Sequence, residues 1–191
     1  MFLPFQAVAN FFKEPSGPKC PECHSVFIDD ACPNLDCPVK VAEWMTRWCS
    51  TEAAKIPALD QAKVGQLAKL RLVLHPGDLY ELGQGDWYQL QGVSSDQLAD
   101  IQGQIEGSKL AEPSAVLYGL KLPGVDERLA KRLIEVFSSI DGLRGSKPEK
   151  LHQVEGIDEQ QCVEICRWFR DSVNKKALTM LEQNGFNLCE Q

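Results

Sequence analysis

The sequence has no apolar run approaching the roughly 18 residues that a membrane-spanning helix requires, so no membrane partner is expected. It has no excess of positive charge either. Its 20 lysines and arginines face 27 aspartates and glutamates, a net charge of −7, which argues against a generally cationic protein that coats nucleic acid. No basic segment precedes the apolar start MFLPFQAVANFF, and Pro4 breaks it early, so it does not read as a secretory signal. A cytoplasmic, reducing compartment is expected, in which close cysteines read as metal ligands before they read as disulfides. With 191 residues, the chain suits one modest domain or two small ones and is short for a large enzyme.

The charge that is present is placed unevenly. Residues 1–120 carry 9 basic and 15 acidic side chains, whereas residues 121–176 carry 11 and 10. Any phosphate-facing surface is therefore expected in the second half. In the apolar start, Phe5, Val8 and Phe12 share one face of a helix, which makes residues 1–12 either a docking segment for a protein partner or a helix packed on its own domain.

Four of the eight cysteines lie within CPECHSVFIDDACPNLDCP. Cys20 and Cys23 form a C-x-x-C and Cys32 and Cys37 a C-x4-C, each beside prolines and turn formers that let both sulfurs of a pair face one centre. Two such knuckles supply the closed thiolate tetrahedron of a structural zinc. Cys20 to His24 also spells the C-x-x-C-H of haem attachment, but that reading leaves Cys32 and Cys37 unexplained. Zinc is the expectation, with haem, disulfides and an empty site as the alternatives. His24 reads as a solvated knuckle residue. Cys49, Cys162, Cys166 and Cys189 read as packing or surface residues rather than nucleophiles.

Beyond residue 50 the chain repeats. In KIPALDQAKVGQLAKL, LQGVSSDQLADIQGQI, LPGVDERLAKRLIEVF and VEGIDEQQCVEICRWF, a small residue, an apolar one and then Asp or Ser open an amphipathic run. The small residues are Ala58, Gly92, Gly124 and Gly156, at intervals of 32 to 34 (58 to 92, 92 to 124, 124 to 156). Such a period marks copies of one supersecondary unit, here a short helix, a tight turn and a second helix. Trp44 and Trp48 read as core. The expected fold is mainly α: a small four-cysteine zinc finger followed by four tandem helix–hairpin–helix motifs. The expected boundaries are 1–17 (apolar segment), 18–44 (zinc finger), 45–176 (helix–hairpin–helix domain) and 177–191 (tail).

The four-cysteine knuckle, an aromatic helix, DLYEL and the ordered glycine turns together resemble the C-terminal half of bacterial NAD-dependent DNA ligases, over about residues 18 to 187. The resemblance implies a zinc finger and four helix–hairpin–helix motifs that grip duplex DNA around a nick, with a BRCT domain normally following. In such a motif a G-h-G hairpin (h, apolar) brings backbone N–H groups against a phosphate, without reading bases. The K-x-D-G adenylation motif of the family is absent; the nearest string is Ser139-Ile140-Asp141-Gly142. The chain alone is thus expected neither to ligate nor to bind NAD.

The turns depart from the family pattern, because Asp60, Ser94, Asp126 and Asp158 replace the second glycine and Ala58 the first glycine of the first copy. Each replacement sits where an N-cap would form, and Ser94/Gln97 and Asp158/Gln161 have capping-box spacing. A capping carboxylate occupies donors that phosphate needs and repels the phosphate. The expected DNA contacts are Gly92, Gly124, Gly156, Arg128, Lys131, Arg132, Lys147 and Lys150, giving weak binding to duplex or nicked DNA. A protein-interaction scaffold that keeps the fold without DNA binding is the alternative.

Overall fold

Asp, Ser and Pro residues placed ahead of amphipathic runs set the helix starts. In a computed structural model, which describes residues 17–189, they delimit ten α-helices and one 3-10 helix, with no named strand among the described residues. The helices are α1 (Pro38–Cys49), α2 (Gln61–Lys69), α3 (Gln84–Trp87), α4 (Ser95–Ser108), α5 (Pro113–Gly119), α6 (Glu127–Phe137), α7 (Ile140–Arg144), α8 (Pro148–Leu151), α9 (Glu159–Arg170) and α10 (Ser172–Gln183); the 3-10 helix is Pro76–Glu81. The mainly α expectation holds. Pro38–Cys49 runs as one helix through the boundary drawn between residues 44 and 45. The calls made on residues 1–12 lie outside the described residues.

Four helices begin immediately after the repeated turns, and each is capped as the substitutions imply. The side chains of Asp60, Ser94, Asp126 and Asp158 accept the backbone N–H three residues on, at Lys63, Gln97, Leu129 and Gln161. Gly92, Gly124 and Gly156 take left-handed φ of 74°, 67° and 95°, which glycine adopts without the Cβ penalty of other residues. In the first copy Lys55 takes the left-handed conformation (φ 57°) and Ala58 does not. Ala58 therefore stands there without strain.

One core gathers these units. Met45 and Trp48 of α1 are fully buried, together with Ile56, Leu67, Leu117, Leu120, Leu133, Ile140 and Leu143. The Trp48 ring packs on Tyr80 and Phe186, at centroid distances of 6.4 and 5.6 Å. Tyr80 Oη accepts the indole N–H of Trp48 at 3.1 Å and shares a 2.8 Å hydrogen bond with Ser108 Oγ, so the polar atoms of this aromatic cluster are paired where they are buried. Placing Trp48 in the core bears out its sequence reading.

The segment 177–191, read as a tail, is corrected over its described part. Ala177, Leu178 and Leu181 of α10 are fully buried, and Phe186 and Leu188 are 4% and 1% exposed. α10 lies on the 3-10 helix, with Gly77 so close that a Cβ there would stand 2.8 Å from Met180 Cβ. The amide of Asp141 then bonds the carbonyl of Leu188 at 3.0 Å. Apolar burial at helical spacing, with Asp171 capping the amides of Val173 and Asn174, explains why this segment orders.

Candidate metal centre and the paired turns

The cysteine knuckle is built by short-range backbone bonds. The amide of Cys20 bonds the carbonyl of Ser25 and that of His24 the carbonyl of Cys20, each at 2.9 Å, and His24 takes φ 58° to close the turn. On the second loop Asn34 Oδ1 accepts the Asp36 amide at 3.0 Å, and α1 starts directly after Cys37. These turns bring the Sγ atoms of Cys20, Cys23, Cys32 and Cys37 within 4.8 Å of one another. Cys20 and Cys37 stand 3.8 Å apart and Cys23 and Cys32 3.4 Å apart.

A disulfide needs about 2.05 Å between sulfurs, and all four thiols are free. A metal at about 2.3 Å from each sulfur of a tetrahedron separates them by about 3.8 Å. The cluster therefore fits a tetrahedral metal closed to water and substrate. His24 is exposed and not part of the ligand cluster. Lys40 Nζ donates to the Cys32 carbonyl, placing a positive charge beside a site that becomes anionic when four thiolates meet one dication. The hydroxyl and amide of Ser25 hold Cys23 well below the usual thiol range, whereas burial and then the adjacent Cys23 push Cys32 up.

From this knuckle α1 carries the order inward. Trp44 Nε1 donates to the Gly119 carbonyl at 3.2 Å, Arg47 Nε to the Tyr118 carbonyl at 2.8 Å, and Arg47 also donates to the carbonyl of Val125, inside the third turn. The Arg47 guanidinium lies 4.1 Å from the Tyr118 ring centroid. One helix thus runs from the knuckle to the third turn.

The turns themselves associate in two pairs through reciprocal side-chain braces. In the first pair, Gln66 of α2 donates to the Gln91 carbonyl and accepts the Gln91 amide, while Gln104 of α4 accepts the Ala58 amide. In the second pair, Arg132 of α6 donates to the Glu155 carbonyl, and Gln161 of α9 donates to the Pro123 carbonyl at 3.4 Å. The sequence-based capping box at Asp158 is half right: Asp158 caps the Gln161 amide, but the Gln161 side chain turns away to the third turn. Its Nε2 would stand 2.5 Å from a Cβ at Gly124, so Gly124 is also needed for packing within the protein. Sequence reasoning missed Gln66, Gln104 and Gln161, because a glutamine on a helix face carries no local sign of what it reaches.

Residues 115–178, which hold the second pair, match the helix-hairpin-helix motif family. The chain is 30% identical over 180 residues to a DNA ligase of Koribacter versatilis, 30% over 178 residues to one of Aquifex aeolicus, and 28% over 176 residues to one of Bacillus pumilus. These alignments cover 91%, 90% and 89% of the chain. The chain is a homologue of DNA ligases. It spans about a quarter of their length, 26%, 25% and 26% in the same order. The ligase resemblance drawn from the cysteine knuckle and glycine turns is borne out.

On this ligase-related framework the basic side chains divide. Lys131 pairs with Glu127 at 2.6 Å, and Arg132, besides bracing the fourth turn, lies 3.6 Å from the Glu155 carboxylate. Lys150 Nζ sits 4.9 Å from the Phe137 ring centroid. Arg128 and Lys147 are exposed and make no ion pair among the described residues. Gly124, Asp126, Arg128, Arg132, Glu155 and Gly156 line a cleft of about 330 Å³ between the third and fourth turns. Burial pushes Cys49 up to about 12 and raises Cys162, consistent with packing roles. No described helix is long and apolar enough to cross a membrane.

Proposed function

We propose that this chain is a non-catalytic, zinc-stabilised helix–hairpin–helix module that binds duplex or nicked DNA through phosphates, weakly and without sequence preference, in the cytoplasm. The observation that carries the reading is the cleft between the third and fourth turns, inside the segment matching the helix-hairpin-helix motif. There Gly124 and Gly156 bring backbone to the surface, and Arg128 stands beside them. Phosphate contacts of this kind position a duplex and leave its sequence unread. Four thiolates with no oxygen or nitrogen ligand favour zinc over harder dications, and Cys20, Cys23, Cys32 and Cys37 would hold it. When bound, the metal cross-links the two knuckle loops and does no chemistry on a substrate.

The second reading, a protein-interaction scaffold, is favoured by one observation. Residues 72–108 carry six carboxylates and no lysine or arginine, a composition unsuited to a polyanion. Fluorescence anisotropy of a labelled nicked duplex, titrated at about 50 and 200 mM salt, separates the two. The DNA reading expects binding that weakens with salt and with Arg128→Glu. Absence of binding at the lower salt refutes it and leaves the scaffold.

A further inference from the structure

The two pairs of turns have the same architecture but differ in their hydrogen bonding: the first pair's braces donate and accept, the second pair's only donate. Gln66 and Arg132 each stand six residues beyond a cap, Asp60 and Asp126, and each reaches the carbonyl just before the glycine of the following turn. In the first pair the braces also accept. Gln66 Oε1 takes the Gln91 amide at 2.8 Å, Gln104 Oε1 the Ala58 amide at 2.9 Å, and Gln97 Oε1 the Ser94 amide at 2.9 Å. In the second pair both braces are donors to carbonyls, and among the described residues no side chain accepts from the amides of Gly124, Asp126, Gly156 or Asp158. A phosphate oxygen only accepts, so it needs free donors. The first pair has committed much of its donor set internally.

Charge points the same way. The second turn and α4 carry Asp96, Asp100 and Glu106 and no basic residue. In the first turn Lys63 is paired with Asp60 and Lys69 lies 3.6 Å from Glu22 of the knuckle, which leaves Lys55 and Arg71 as its exposed basic residues without an ion pair among the described residues. Hydrogen bonding from Lys63 holds the Asp60 carboxyl below the usual carboxylate range. By contrast Arg128 and Lys147 are exposed around the third and fourth turns without an ion pair among the described residues, and Lys131 is exposed beside them, paired with Glu127 on its own helix.

From this asymmetry we infer that the second pair of turns alone contacts DNA, and that the first pair, although built on the same framework, is a structural spacer turned away from the phosphates. The inference rests on the DNA-binding reading above. Arg132 then acts as a positioning residue that holds the third and fourth turns together, as Gln66 holds the first and second, while Arg128 neutralises phosphate. A footprint of one pair has a small electrostatic signature. If Arg128, Lys131 and Lys147 each neutralise one phosphate, the logarithmic salt slope is about −2.7, or roughly a 40-fold loss of affinity between 50 and 200 mM salt.

The test is to follow backbone amide resonances of the ¹⁵N-labelled, metal-loaded full chain while titrating the nicked duplex, alongside anisotropy. Shifts at Gly124 and Gly156, with Gly92 and Ala58 still, are expected. Comparable shifts at Gly92 or Ala58 overturn the inference, as does binding that leaves Gly124 and Gly156 unmoved. If anisotropy shows no binding at 50 mM salt, the DNA-binding reading itself fails and takes this inference with it. Variants give a second reading: Arg128→Gln should weaken binding about fivefold and flatten the slope by about 1, whereas Lys69→Gln and Arg71→Gln should change neither. Arg132→Gln, which supplies the side chain that braces the first pair, should retain most binding at an unchanged slope. A slope lowered by Arg132→Gln as much as by Arg128→Gln would overturn its assignment as a positioning residue.

Discussion

Replacing the capping carboxylates of the second pair by the glycine that DNA-binding hairpins carry should weaken the fold slightly and tighten DNA binding. In Asp126→Gly/Asp158→Gly, two helix caps are lost, the 2.7 Å bonds to the amides of Leu129 and Gln161. Glycine at an N-cap costs only a few tenths of a kcal/mol relative to Asp, so the pair costs about 0.6 kcal/mol, or roughly 1–2 °C in Tm for a chain of this size. Removing a carboxylate about 4–5 Å from a phosphate relieves about 1 kcal/mol of repulsion in water, near fivefold in Kd for each turn at low salt, and frees one amide donor besides. Screening should erode the gain at about 200 mM salt. Asp60→Gly serves as the control, with a similar loss of stability and no gain in affinity. Thermal melts and anisotropy at both salt concentrations give the answer. A double variant that melts as expected but binds no tighter at about 50 mM would refute the reasoning, because the carboxylates would then not be what opposes phosphate.

Chelation of the metal, or Cys23→Ser, should cost about 5 kcal/mol or more, since binding energy at a closed thiolate site is folding energy; differential scanning calorimetry should show a fall of roughly 10–20 °C in Tm, with Cys166→Ser unchanged in metal content. His75 is 2% exposed with neither ring nitrogen hydrogen-bonded. Burial holds it below its ordinary 6.5, with Asp78, 3.5 Å away, opposing and Lys176 adding to the shift. Because the folded pKa is depressed, the unfolded chain takes up the proton first, so stability is full above about pH 6.5 and falls below it. In His75→Phe the pH dependence of chemical denaturation should flatten in that window, and an unchanged profile would exclude His75 as its source. A Cβ in Gly119→Ala would stand 2.7 Å from Trp48 Cε3 and 3.0 Å from Ala53 Cβ, and overpacking there should cost about 1–3 kcal/mol in urea denaturation.

Much of this protein is legible from local chemistry. The spacing of Cys20, Cys23, Cys32 and Cys37 leads to one cluster because tight turns act over a few residues. The four caps are read correctly because an N-cap bond spans three residues. The positive φ of Gly92, Gly124 and Gly156 follows from their place in a turn. Ala58 departs from its copies without strain because its own φ is not left-handed, although Lys55 three residues before it is, as Lys121 is three residues before Gly124; no pattern of residue types reveals that difference.

What the sequence by itself determined is therefore everything that contacts within about one helical turn or one repeat can specify: the helical class, the clustering of four cysteines, the caps and the period. Only the tertiary structure decided which units face one another and with what polarity. It turned Gln161 from a capping-box partner into a brace on the third turn, committed Arg132 to the fourth, and drew Phe186 and Leu188 from an apparent tail into the core. These outcomes depend on where a long side chain ends once the backbone is packed. Arg128 and Arg132 are alike in composition and four residues apart; the carbonyl of Glu155, 23 residues further along the chain from Arg132, is what separates them.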